Sequence, residues 1–202
     1  MKAIKVIPLL IVVVLLFALA IPAAAISDGE PDGDGHPFVG LMVAQDADGN
    51  PLWRCSGTLI SPTVFLTAGH CTEEPAAHAE LWFDADMQTD AAAKGYPFTG
   101  QVGGATFTHP DFYTAPFFVH DVGVVVLDEP YFSDVYGTLP AVDQLDALKT
   151  KRGQQNVTFT AVGYGMQKSF PDAASWKDQS FKIRMVAYPK LIQINVPGFT
   201  GD

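Results

Sequence analysis

The chain has 202 residues, 48% of them hydrophobic and 17% charged, and 22 acidic against 12 basic side chains give it a formal charge of −10. So acidic a balance argues against nucleic acid or an anionic membrane as a partner, because both bind cationic surface. The length suits one large domain or one and a half smaller ones.

The first residues read as an address. Lys2 and Lys5 give a short basic start, an apolar run extends from Leu9 to Ile21, and Ala23-Ala24-Ala25 offers a small-residue cleavage site. The run is short for a membrane span, which takes about 20 apolar residues. Residues 1–25 are therefore expected to be a cleaved signal peptide; an uncut membrane anchor is the competing reading. Cleavage removes two lysines and no acid, leaving a charge of −12 and Ile26 as the mature N-terminus. The expected localisation is secreted, with no stable membrane association afterwards. Two cysteines, Cys55 and Cys71, are most simply one disulfide in an exported chain. Closing a loop of about fifteen residues is worth about 3 kcal/mol in the chain-entropy model. Two free thiols are the alternative.

From Ser27 to Gly35 the sequence is polar and glycine-rich, which predicts a loop. Short apolar segments then recur between turn signals such as Asp48-Gly49-Asn50-Pro51, Ser61-Pro62 and Asp128-Glu129-Pro130. They predict strands over Val39–Ala44, Arg54–Ile60, Val64–Ala68, Ala79–Phe83, Gly100–His109, Val122–Leu127, Asn156–Tyr164 and Phe181–Pro189. Helical periodicity is confined to Val142–Lys149 and the turn after His70. Many short strands with Gly/Pro turns argue for an all-β sandwich or barrel. The expected division is a first β-barrel over 26–128, a connector over 129–150, and a partial second β-barrel over 151–202.

The chemistry gathers around Leu66-Thr67-Ala68-Gly69-His70-Cys71 and Asp121-Val122-Gly123-Val124-Val125-Val126-Leu127. Small residues before His70 let the backbone turn and present the imidazole. An acid at the mouth of an apolar strand is costly unless a partner satisfies it, and a histidine N–H is such a partner. The His70 segment, with Cys55 and Cys71 around it, resembles the histidine segment of the trypsin/chymotrypsin-like serine proteases. Asp121–Leu127 resembles their aspartate strand, with Gly123 in place of the usual alanine. His109-Pro110-Asp111-Phe112 resembles their His-Pro-x-Tyr turn, and Val162-Gly163-Tyr164-Gly165 their Gly-Trp-Gly segment. Ile26, followed by Gly29 and Pro37-Phe38-Val39, resembles the mature N-terminus, from which Ser27 and Asp28 depart.

The resemblance implies two six-stranded Greek-key barrels of the chymotrypsin type, the second only partly present. It implies a secreted serine endopeptidase with His70 as base and Asp121 as the carboxylate that orients it. Protein or peptide substrates and protein inhibitors are the implied partners, and no cofactor is called for. No Gly-Asp-Ser-Gly-Gly segment occurs in the 202 residues, so the expectation is a chain cut before its nucleophile and inactive by itself. The rival reading is a non-catalytic pseudoprotease acting as a secreted binding module. Retention of both His70 and Asp121 argues against it. Asp84 and Asp86, with Glu73, Glu74 and Glu80 nearby, make a calcium-binding loop the alternative reading, but they lack EF-hand spacing, so they are read as solvated faces and no metal is expected. His36, His78 and His120 are expected at the surface and His109 in a turn.

Overall fold

A computed structural model describes residues 29–113, 120–148, 157–165 and 181–191. The expected signal peptide and the expected mature N-terminus, Ile26, lie outside these residues. Among the described residues nine strands are formed: β1 (Glu30–Pro31), β2 (Val39–Gln45), β3 (Pro51–Ser61), β4 (Val64–Thr67), β5 (His78–Trp82), β6 (Val102–Thr108), β7 (Gly123–Leu127), β8 (Ala161–Gly163) and β9 (Met185–Ala187). Six of them close an antiparallel barrel in the order β2-β3-β4-β7-β6-β5, with β5 pairing back onto β2. Closure leaves no free edge in that sheet.

Alternation explains the barrel. Phe65 in β4, Val125 and Leu127 in β7, and Ala79 and Leu81 in β5 point inward with Met42, Ala44 and Leu59, forming one core. Their neighbours along each strand point outward, as a period of two requires. β2 is the exception, because all seven of its residues are buried. Its second face, Leu41 and Val43, packs with Trp82, Met87 and Tyr164 into a second cluster. That cluster joins the barrel to a three-stranded sheet ordered β1-β9-β8. The β2–β3 hairpin turns where Asp46 accepts hydrogen bonds from the N–H groups of Asp48 and Asn50, both at 2.9 Å.

Two expectations need correction. The segment Ser27–Gly35 is not all loop: Glu30 and Pro31 pair with Val186 and Met185 of β9. Within the predicted Val142–Lys149 helix, the described part is only a 3-10 turn at Gln144–Leu148. The pairing of β1 succeeds because Asp32, just beyond it, is buried against Arg184. The Arg184 guanidinium donates from Nε to Asp32 Oδ2 (2.8 Å), and to the carbonyls of Gly33 (2.6 Å), Phe83 (2.9 Å) and Val39 (3.2 Å). Asp32 also faces His36 Nδ1 at 2.6 Å. A polar run that reads as solvent-exposed thus supplies a fully partnered ionic anchor. Among the described residues no helix is long and apolar enough to cross a membrane.

Candidate active site

His70 sits in a 3-10 turn at Gly69–Cys71, between the end of β4 and the loop that leads to β5. Three interactions fix that turn from behind. Cys71 is bonded to Cys55 of β3 as a disulfide. Trp53 Nε1 donates to the Cys71 carbonyl at 3.0 Å. The buried Thr72 hydroxyl donates to the Gly69 carbonyl at 3.0 Å and meets the Thr108 hydroxyl at 2.8 Å. Replacing both cysteines by serine is expected to lower stability by about 3 kcal/mol, read from the shift of the urea unfolding midpoint.

Asp121 precedes β7, and β4 pairs directly with β7 through Thr67 and Gly123. The register therefore delivers Asp121 to the histidine turn. Asp121 Oδ1 accepts the His70 backbone N–H at 2.8 Å, and Oδ2 lies 2.9 Å from His70 Nδ1. The carboxylate is thus held at two points by one residue, which fixes both its plane and the imidazole's. The His70 side chain is 57% exposed and that of Asp121 20%, so the ring edge carrying Nε2 is open to an incoming group. Burial works against the charged form of Asp121. Hydrogen bonds from the backbone and ring of His70, the attraction of that ring and the Gly69 N–H outweigh it, and the carboxyl lies below the usual aspartate range.

Close approach explains two glycines here. A Cβ on Gly69 would stand 3.0 Å from the Phe112 ring and 3.2 Å from Asp121 Oδ1, so a side chain would push the carboxylate away. A Cβ on Gly123 would overlap the Thr72 hydroxyl and stand 2.8 Å from the Ala68 carbonyl. The glycine that departs from the aspartate-strand pattern thus makes room for Thr72. Gly123→Ala is expected to cost about 1–3 kcal/mol through this overlap, measured as a lowered thermal midpoint, and Thr72→Ser should not rescue it because the hydroxyl is retained.

Sequence reasoning placed His70, Asp121, Cys55 and Cys71, and the structure brings all four together. It did not find Trp53, Thr72 or Thr108, which hold the turn; no motif marks them. The Cys55 and Cys71 sulfurs and a ring nitrogen of His70 lie within 4.8 Å of one another, but sulfurs joined in a disulfide offer no thiolate to a metal. Three of the acids that lack EF-hand spacing have partners within the fold: Asp84 pairs with Lys94 at 3.1 Å, Asp86 accepts the N–H groups of Gln88 and Thr89, and Glu80 accepts that of Gly100. His78 is 3.0 Å from Asp128. Ser56 exchanges hydrogen bonds with the Tyr164 backbone at 2.9 and 2.8 Å, a link between barrel and second sheet.

The family model described as Trypsin matches residues 31–189. The chain belongs to the trypsin family. Among solved structures, HL collagenase superposes on it with a TM-score of 0.57 at 19% identity, over 82% of this chain and 63% of that one. That likeness shows the fold, an all-β architecture of the chymotrypsin type with the second barrel seen in part. The chain spans about 63% of the length of that collagenase. No curated protein matches it. Tyr164 is buried in the cluster that joins the barrel to the three-stranded sheet, donating to the Asp84 carbonyl at 2.6 Å. Burial, only partly opposed by the nearby Arg184 charge, pushes its phenol up to about 12.

Proposed function

We propose that this trypsin-family chain is part of a secreted serine endopeptidase in which His70 is general base and then general acid, and Asp121 orients it. The observation that carries this reading is the grip of Asp121 on both the backbone N–H and Nδ1 of His70, at 2.8 and 2.9 Å. With Nδ1–H committed to the carboxylate, the lone pair of the neutral ring is on Nε2, facing solvent. There it can take the hydroxyl proton of a serine as the oxygen attacks a peptide carbonyl. The same proton then passes to the leaving amine, and water repeats the cycle on the acyl group. Asp121 offsets the positive charge that the ring gains in each half. Side chains supply all of this, so no cofactor or metal is invoked.

The attacking serine belongs, in this reading, to a Gly-Asp-Ser-Gly-Gly segment following residue 202, and the 202 residues alone should not cleave peptides. Protein or peptide substrates and protein inhibitors are the partners. The Cys55–Cys71 disulfide favours an oxidising, extracellular setting. The test is cleavage of casein by the secreted product of the whole reading frame. Activity should fall by about 10⁴-fold or more in His70→Ala. Undiminished cleavage by that variant contradicts the assignment, and a serine-bearing product that cleaves nothing favours the binding-module reading.

A further inference from the structure

The backbone that carries Asp121 turns in an unusual way. His120, the residue before it, has φ of 59°, in the left-handed region that non-glycine residues enter at a cost of about 1–3 kcal/mol. Its carbonyl accepts the Val122 N–H at 2.7 Å, so Asp121 stands at the apex of a three-residue turn. Such a turn aims the carboxylate out of the line of β7 and into the histidine turn. Something must hold it, because an exposed histidine gains nothing locally from this conformation.

The partner is His109. The two rings stack with centroids 5.1 Å apart and planes 10° from parallel. His109 is itself well anchored. Its backbone N–H donates to the Val122 carbonyl at 2.9 Å, one step beyond the Thr108–Gly123 pair that ends the β6–β7 ladder. Its Nδ1 accepts the Asp111 N–H at 3.2 Å, which keeps the neutral ring in the Nε2–H tautomer and fixes its plane. The next residues form the 3-10 turn Pro110–Tyr113, whose Phe112 packs on Gly69 beside His70.

We propose that His109 and His120 are a positioning pair: their stacked rings hold the left-handed turn that aims Asp121 at His70. The idea rests on the His70–Asp121 reading above and adds the element that sets the carboxylate's direction. Neither ring touches the reacting atoms, so their influence passes through Asp121 alone. Two residues expected to be a turn residue and a surface residue thus act together. The stack, not the basicity, is what matters, so a phenyl ring at position 109 should serve as well as an imidazole.

The test needs no nucleophile. In the folded, disulfide-bonded 202-residue protein, the Nδ1 proton of His70 is observed by NMR with histidine-selective labelling. The unsubstituted protein should show a strongly deshielded, exchange-protected proton. His109→Ala and His120→Gly should lose or broaden it, while His109→Phe retains it. His120→Gly is informative because glycine takes the left-handed conformation without strain, which removes the stack without forbidding the turn. Thermal unfolding of each variant identifies any that fails to fold, and the folded ones decide. Persistence of the proton at its original shift in His120→Gly, or its loss in folded His109→Phe, overturns the pairing. Its absence from the unsubstituted protein is a different result, which overturns the His70–Asp121 grip and the pairing with it.

Discussion

Asp121→Asn is expected to lower kcat by about 10⁴-fold with KM little changed, the cost of the wrong imidazole tautomer in a Ser-His-Asp arrangement. The reason lies in the two-point grip. Oδ1 must remain an acceptor for the His70 N–H, so an asparagine keeps its oxygen there and turns its NH₂ toward Nδ1. Nδ1 then has to accept, the ring proton moves to Nε2, and the lone pair that should take the serine proton is gone. Steady-state kinetics of the serine-bearing protein at neutral pH, beside a melting curve showing that the variant is folded, reads this directly. A fall of less than about ten-fold contradicts the assigned role.

Asp32→Ala costs about 3–5 kcal/mol of stability, a large part of the about 5–15 kcal/mol that a domain possesses. The side chains of Asp32 and Arg184 are 2% and 1% exposed, so removing the carboxylate strands a guanidinium where water cannot reach it. The double variant Asp32→Leu with Arg184→Met should recover much of the loss, because an apolar pair leaves no buried charge. Burial raises the Asp32 pKa, but hydrogen bonds from the His36 ring, Arg184 and the His36 N–H, with the His36 charge, outweigh it and hold it below the usual value. In acid the folded state therefore binds fewer protons at this site than the unfolded state. The contribution is whole above the ordinary aspartate pKa of about 4 and disappears as pH falls through the lowered value. Urea titrations at pH 3 and 6 should show a weaker pH dependence in Asp32→Asn than in the unsubstituted protein. An equal slope would falsify the linkage.

The barrel was legible because its information is local. Val64–Thr67 and Gly123–Leu127 alternate inward and outward residues within a single strand, and turns such as Asp48-Gly49-Asn50-Pro51 mark their ends. His70 and Asp121 were legible for another reason: each stands in a short segment whose small or apolar neighbours make its polarity conspicuous. What stayed hidden depends on distant partners. Asp32 lies in a glycine-rich polar run that reads as solvated, and its partner Arg184 is 152 positions away. Glu30 and Pro31 lack every strand preference and pair only because that anchor lies beside them. Gly123 looked like a plain departure from the aspartate-strand pattern until Thr72 was seen to occupy the space of its missing methyl group. The left-handed turn at His120 is equally invisible in sequence, since neither His109 nor His120 carries the glycine or asparagine that usually marks one.

The most direct test of His70 as the base of a serine nucleophile is mass-spectrometric mapping of a fluorophosphonate adduct on the product of the whole reading frame. The expected result is a single adduct, on the serine of a Gly-Asp-Ser-Gly-Gly segment, formed far more slowly or not at all in His70→Ala. An adduct that forms at the same rate without His70, or that sits on Ser56 or another serine of the barrel, contradicts it.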